Sequence, residues 1–297
     1  MKTSKMIILM LIAIVVLASC KKDDEDNMET ESNKSITLNI SGLEDLGSDY
    51  VYEGWLIVNG APVSTGTFTV DATGMLSKTT FSLSASDVDA ATTFVLSIEP
   101  ANDSDPAPAA TKILAGDFSG NSASVNTDLI ADFSNSAGKY ILATPTNGTD
   151  NDENSGIWFL DLATGSPTVG LDLPQLPDGW KYEGWVVING QPVTTGTFTN
   201  AMATDDADPF SGNMPLPDVN GMNGFFPGED FLVNAPSGLS FPTDIAGGMA
   251  VISVEPHPDN SPNPFTLKPL VHAIPAAAMD HMVYKMGQKL NFPSGTV

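Results

Sequence analysis

A seventeen-residue block occurs twice in this chain, and its two copies lie 130 residues apart. The first opens Tyr52-Glu53-Gly54-Trp55, passes through Asn59-Gly60 and Pro62-Val63, and closes on Gly66-Thr67-Phe68. The second opens Tyr182-Glu183-Gly184-Trp185, passes through Asn189-Gly190 and Pro192-Val193, and closes on Gly196-Thr197-Phe198. Two gapless copies of so specific a run mark a tandem duplication, so two related structural units are expected.

The periodicity inside the block sets what each unit folds into. Tyr52, Gly54, Leu56 and Val58 alternate with Glu53, Trp55 and Ile57, the two-residue period of a strand. Both sets are largely apolar, which places the strand inside a sheet, packed on both sides near Trp55. Asn59-Gly60 suits the two positive-φ positions of a type I′ hairpin. Pro62 has no N–H to donate, so the returning strand runs at an edge or begins at Val63. Upstream, Ile36, Leu38 and Ile40 alternate with Thr37 and Asn39. Further strands are predicted over 79–83, 92–99, 111–114 and 128–133 in the first unit, and over 139–144 and 157–162 in the second. In the second unit Leu171, Leu173 and Leu176 match Leu38, Ile40 and Leu43. A short helix at 276–280 followed by a last strand is predicted near the end, and no stretch sustains a 3.6-residue period. The fold expected is all-β, with two tandem β-sandwich-like repeats at 35–137 and 138–297.

The segment Ile98-Glu99-Pro100 recurs as Val254-Glu255-Pro256 at a spacing of 156 residues rather than 130, so the second repeat carries 26 extra residues. They fall at about 200–248, a Gly-, Pro-, Asp- and Met-rich stretch expected to be a long irregular loop of the functional or disordered kind.

Residues 1–19 read as an address rather than as fold. Lys2 and Lys5 precede an apolar run over 6–18 that is short for a membrane span and typical of a signal peptide. Leu17-Ala18-Ser19-Cys20 resembles the bacterial lipobox, which implies cleavage before Cys20 and lipidation of its thiol. Cys20 is the only cysteine, so no internal disulfide is available. Residues 20–34 form an acidic flexible tether, and its Lys21-Lys22-Asp23-Asp24-Glu25-Asp26 start resembles a lipoprotein surface-export signal. The expected location is the outer membrane of a Gram-negative bacterium, on its periplasmic face or at the cell surface, anchored through Cys20.

Charge narrows the partners. The chain has 36 acidic residues against 12 lysines and no arginine, and loss of residues 1–19 leaves 10 lysines against the same 36 acids. Nucleic acid needs phosphate neutralisation and commonly the arginine fork, so no nucleic-acid partner is expected. Phosphorylated ligands are disfavoured for the same reason.

Chemistry-bearing patterns are sparse. His257, His272 and His281 stand at no metal-ligand spacing from one another, and no metal or other cofactor is expected. No nucleophile elbow and no phosphate loop occurs, so the chain is read as a non-enzyme. An enzyme built on a carboxylate pair is the competing reading, although no pair stands out. The acidic loops at 147–154 and 205–208 offer oxygen ligands without the calcium-loop pattern. Glu99 and Glu255 are expected to be structural, bonding to nearby backbone or lysine at a strand end. Trp55 and Trp185 are candidate ligand platforms for sugars, against the alternative of a core position. Phe225 and Phe226, in the polar insertion, are candidate partner-binding residues.

One resemblance adds to this. The aromatic-x-x-Trp strand, the Pro-Val-x-x-Gly-x-Phe return and the Glu-Pro strand end before a Ser/Pro-rich loop together resemble the extracytoplasmic C-terminal domain of anti-sigma-K factors. The residues are Tyr52, Trp55, Pro62, Val63, Gly66, Phe68, Glu99, Pro100, Pro106 and Pro108 in the first copy. In the second they are Tyr182, Trp185, Pro192, Val193, Gly196, Phe198, Glu255, Pro256, Ser261, Pro262, Pro264 and Thr266. The resemblance implies a non-catalytic protein-interaction or sensory module. Such factors place a helical sigma-binding domain ahead of a membrane helix; here a signal peptide and lipid cysteine stand there, so direct sigma-factor binding is not expected. The alternative is a glycan-binding surface lipoprotein whose tandem domains gain avidity. The partner, protein or glycan, is left open.

Overall fold

The computed structural model describes residues 32–216, 218–219, 222–223, 226–258 and 261–297. Cys20 and Phe225 lie outside the described residues. Strands take 43% of the described residues and helix 4%, so the all-β expectation holds, in curled sheets of β-sandwich-like form.

Two antiparallel sheets dominate. The first has seven strands, in the spatial order Asn39–Ser41, Ser294–Thr296, Ser122–Val125, Lys112–Ser119, Ala91–Pro100, Tyr50–Val58 and Ala61–Phe68. The second has nine. Eight run in the order Gln191–Phe198, Trp180–Ile188, Met249–Pro256, Leu270–Ala273, Tyr284–Gln288, Ala137–Leu142, Gly156–Trp158 and Gly228–Asp230, and Leu171–Asp172 pairs beside Ala137–Leu142. The last strand of the chain thus sits inside the first sheet, between Asn39–Ser41 and Ser122–Val125. Side chains from both copies share one core, in which Tyr52, Phe94, Tyr140, Phe159 and Phe231 are completely buried.

The duplicated block folds the same way twice, for reasons visible in its residues. Asn59 and Gly60 take φ of +51° and +81°, Asn189 and Gly190 +53° and +85°, as a type I′ turn requires. Pro62 and Pro192 lie on the edge strands of their sheets, where a missing N–H costs no ladder bond. The pairing shifts register between Gly54 and Trp55, leaving Thr65 as the extra residue of a bulge, and between Gly184 and Trp185, leaving Thr195. The following glycines, Gly66 and Gly196, take φ of +104° and +102°, which side-chain-bearing residues rarely adopt. The Thr-Gly pair of the block is therefore a bulge signature. Tyr52 stacks on Phe68 and Tyr182 on Phe198, each pair 5.5 Å between centroids, and so locks the hairpin across its wide end.

Two local predictions are corrected. Residues 128–133 are turns, not a strand: Asp128 N–H is captured by the Asn126 side chain and Ser134 N–H by Asp132, and such Asx bonds compete with a ladder. The strand forms earlier, at Ser122–Val125. Residues 276–280 form a turn rather than a helix, with Tyr284 Oη holding both Met279 N–H and Met279 C=O. The one α-helix described, Ala85–Ala90, is too short for periodicity to reveal.

Candidate functional site

Each copy contains a buried polar relay that fixes one strand end. Trp55 Nε1 donates to Ser97 Oγ at 2.8 Å, Ser97 Oγ donates to Glu99, and Glu99 Oε1 also accepts Ala109 N–H at 2.8 Å. In the second copy Trp185 Nε1 donates to Ser253 Oγ at 2.8 Å, Ser253 to Glu255, and Glu255 accepts Phe265 N–H at 2.9 Å. The glutamate reaches a backbone N–H ten residues ahead in both, so each carboxyl ties the proline-rich loop back under the strand that precedes it. Both glutamates are 1% exposed. Burial pushes the Glu99 carboxyl above the usual range, with the Ser97 and Ala109 donors opposing. The structural role read for Glu99 and Glu255 is what the geometry shows.

The strand ends fixed in this way converge. Pro100 and Pro256, directly after the two glutamates, line one cleft of about 520 Å³, closed on a further side by the loop that runs from Glu44 to Tyr50. That loop is held by Tyr52 Oη on Glu44 C=O at 3.0 Å, by Gly47 N–H on Asp45 and by Ala101 N–H on Asp49 C=O. One hydrogen bond and one close packing contact join the copies near it: Thr266 Oγ1 donates to Gly42 C=O at 3.1 Å, while Gly179 packs against Ala110 so closely that a Cβ would meet its carbonyl carbon at 2.9 Å. The floor is apolar, from Leu46, Tyr50, Ile98 and Phe265, and the rim carries Asp45 and Asp49. A cleft of this size with an apolar floor and a few polar groups has the form of a binding site. Lys268 lies within electrostatic range of Glu44 and Glu255, and burial holds its amine below the usual lysine range.

A second feature was not legible beforehand. The insertion delivers Glu229 and Asp230 on the strand Gly228–Asp230, both 0% exposed, and brings Asp205 beside them. Glu229 accepts from Ser211 Oγ and Phe210 N–H, Asp230 accepts from Thr146 and, at 2.8 Å, Trp158 Nε1, and Asp205 accepts Gly228 N–H at 2.9 Å. No lysine is among these partners. Burial raises Glu229 to about 8 and Asp205 to about 7, and the Asp205 charge adds to the rise at Glu229. The only available hint is Phe226-Pro227-Gly228-Glu229-Asp230-Phe231-Leu232-Val233, two acids inside an apolar run. The described part of the insertion is thus packed, with Phe210, Phe231 and Phe241 in mutual ring contact, rather than a structureless loop.

The other predicted residues fall as follows. Trp55 and Trp185 are each 3% exposed with their Nε1 committed to serine, so neither presents a face to solvent, and the platform expectation is corrected. Trp180 is equally buried, against Phe265. Phe226 is buried in a small cluster with Ile141, Ala143, Trp158 and Leu160, so it is packing rather than a partner contact. His272 bonds Tyr140 Oη at 2.9 Å and His281 pairs with Asp280, while His257 lines the cleft. Among the described residues no three His, Cys, Asp or Glu side chains converge as a metal site. In the loop 147–154, Glu153 is occupied by Thr144 and Asp150 N–H, and Asp206 of the loop 205–208 by Lys181 and Thr197.

Comparison with known proteins gives one match. Residues 26–113, under a third of the chain, match the family model of the anti-sigma-K factor rskA C-terminal domain. This is the family that the block residues suggest, and the matched span contains the first copy's Trp55, Ser97 and Glu99 relay. No curated protein and no solved structure matches the chain.

Proposed function

We propose that this chain is a non-catalytic extracytoplasmic lipoprotein, anchored through Cys20 in the outer membrane of a Gram-negative bacterium, whose β body is a protein-interaction or sensory module. The match is to the C-terminal part of anti-sigma-K factors alone, so what carries over is an extracytoplasmic β domain and not the capture of a sigma factor. One observation carries the reading: the Glu-Pro strand ends of both copies, the residues on which the resemblance rests, frame one cleft. The buried carboxylates at those ends are spent on holding loops, which suits a preorganised surface rather than acid–base chemistry.

Two measurements test this. Cys20→Ser is expected to abolish incorporation of labelled palmitate and release the protein from membranes; retention of label would remove the lipid anchor from the proposal. A photo-crosslinking residue placed at Leu46 or His257 in the source bacterium is expected to trap one discrete protein adduct. The same residue at Met279, 61% exposed and outside the cleft, is expected to trap none. Equal adducts at all three positions, or none at any, would overturn the cleft as the interaction site. An adduct to polysaccharide would favour the glycan-binding alternative instead.

A further inference from the structure

The chemistry of the cleft says what kind of group it is built to receive, granted the reading of it as an interaction site. Four of its lining residues, Pro100, Pro256, Pro258 and Pro262, have no N–H at all. Four other backbone donors around it are engaged. Gly47 N–H is given to Asp45, Ala109 N–H to Glu99, His257 N–H to Gly179 and Phe265 N–H to Glu255. Three hydroxyls are engaged too: Thr111 donates to Ile98 C=O, Ser48 to Asp49 and Ser261 to Asn263 C=O, which leaves Tyr50 Oη and the His257 ring as the side-chain donors of the described lining.

The charge has the same sense. Among the described residues three carboxylates, Glu44, Asp45 and Asp49, line the cleft, and no lysine does. Lys268 offsets Glu44 in part, and Asp45 and Asp49, which accept hydrogen bonds from Gly47 N–H and Ser48 Oγ, are exposed at the rim. A site poor in donors and rich in negative charge rejects carboxylates and phosphates, because their oxygens would meet other acceptors and lose hydration without return. It suits a group that brings both its own donors and a positive charge. The apolar floor of Leu46, Tyr50, Ile98 and Phe265 further asks for a methylene stem beneath that charge.

We propose that the cleft receives a lysine or arginine side chain presented by an extended segment of a partner protein, its stem on the apolar floor and its cationic head at Asp45 and Asp49. A volume of about 520 Å³ exceeds one side chain, leaving room for the flanking residues of a peptide rather than for a lone amine.

The test is calorimetric titration of the full chain in detergent with the capped peptide Gly-Leu-Lys-Leu-Gly, with its Gln and Glu counterparts, and with n-butylamine. The lysine peptide is expected to bind, the glutamine peptide at least tenfold more weakly, and the glutamate peptide not at all. Butylamine is expected to bind more than tenfold more weakly than the lysine peptide. The double variant Asp45→Asn/Asp49→Asn keeps the local side-chain acceptors and is expected to melt as the wild type does, yet to lose lysine-peptide affinity at least tenfold. Equal binding of the lysine and glutamine peptides, no binding of the lysine peptide, or an unchanged affinity in the double variant would overturn the proposal. Butylamine binding as tightly as the peptide would overturn the peptide source in favour of a small amine. The reading it rests on fails separately. A crosslinked adduct at Leu46 and His257 with charge-insensitive binding removes only this inference, whereas loss of the adduct removes the interaction site itself.

Discussion

Between pH 5 and pH 9 the folded state is expected to lose about 2–4 kcal/mol of stability, with Glu229 as the main cause. Its carboxyl has an ordinary value of 4.5 and is raised to about 8 in the fold, while Asp205 goes from 3.8 to about 7. Raised acids bind protons more tightly in the native state than in the unfolded chain. Their contribution is therefore fully present below about pH 4 and is lost as pH climbs through 7 and 8. The figure is set below the full shift at Glu229, because local rearrangement relieves part of the cost, and half-buried Asp205 adds only a discounted share. The lowered carboxyls do not mask the trend. Asp161 and Asp206, held down chiefly by Lys139 and Lys181, titrate below the window. Urea unfolding of the full chain in detergent at pH 5, 7 and 9 gives the profile. Glu229→Gln, which keeps the shape and an acceptor for Ser211, is expected to flatten it and to exceed the wild type in stability at pH 9. Stability that rises from pH 5 to 9, or a profile unchanged in Glu229→Gln, would show that the cluster is ionised and compensated.

How much of this was legible depends on how local the cause is. The hairpins, the edge prolines and the buried alternation of Ile36, Leu38 and Ile40 follow from φ preferences and period, which neighbouring residues decide among themselves. The structural use of Glu99 and Glu255 was readable because each sits between an apolar strand and a proline. Other features depend on residues far apart. Nothing local in Ser294–Thr296 says that it enters the first sheet more than 160 residues from its partner Ser122–Val125. The cleft combines segments near 45, 100, 110 and 260, and only the fold sums their charges. Phe226 misled because a pair of aromatics in a polar stretch looks exposed, whereas Trp158 and Leu160 from a distant strand cover it. The 128–133 stretch misled in the opposite way, since its apolar residues Ile130 and Phe133 are buried from turns.

Gly184→Ala is expected to cost about 3 kcal/mol or more, a large effect for one methyl group. The glycine of the Tyr-Glu-Gly-Trp block needs no unusual φ at either position, so backbone freedom is not why it is there. Space is the reason. A Cβ at Gly184 would lie 2.1 Å from Thr195 Oγ1 and 2.8 Å from a ring carbon of Phe159, and at Gly54 it would lie 2.4 Å from Thr65 Oγ1 and 3.0 Å from Phe94. Thr195 is the bulge residue facing that glycine, 0% exposed and pinned by its backbone, and Phe159 is equally buried, so neither can retreat cheaply. The bulge and the glycine are thus one device: the extra residue turns inward, and only a missing side chain opposite makes room for it. The device predicts a coupling. Thr195→Ala alone leaves a small cavity, but combined with Gly184→Ala it removes the hydroxyl that clashes, so the double variant is expected to recover more than 1 kcal/mol relative to the sum of the singles. Gly54→Ala is expected to cost somewhat less, about 2 kcal/mol, because its nearest contacts are a few tenths of an ångström longer. Additive penalties in the 184/195 pair, or a Gly184→Ala protein that melts with the wild type, would mean that the sheet opens to admit the methyl, and the block's glycine would need another explanation.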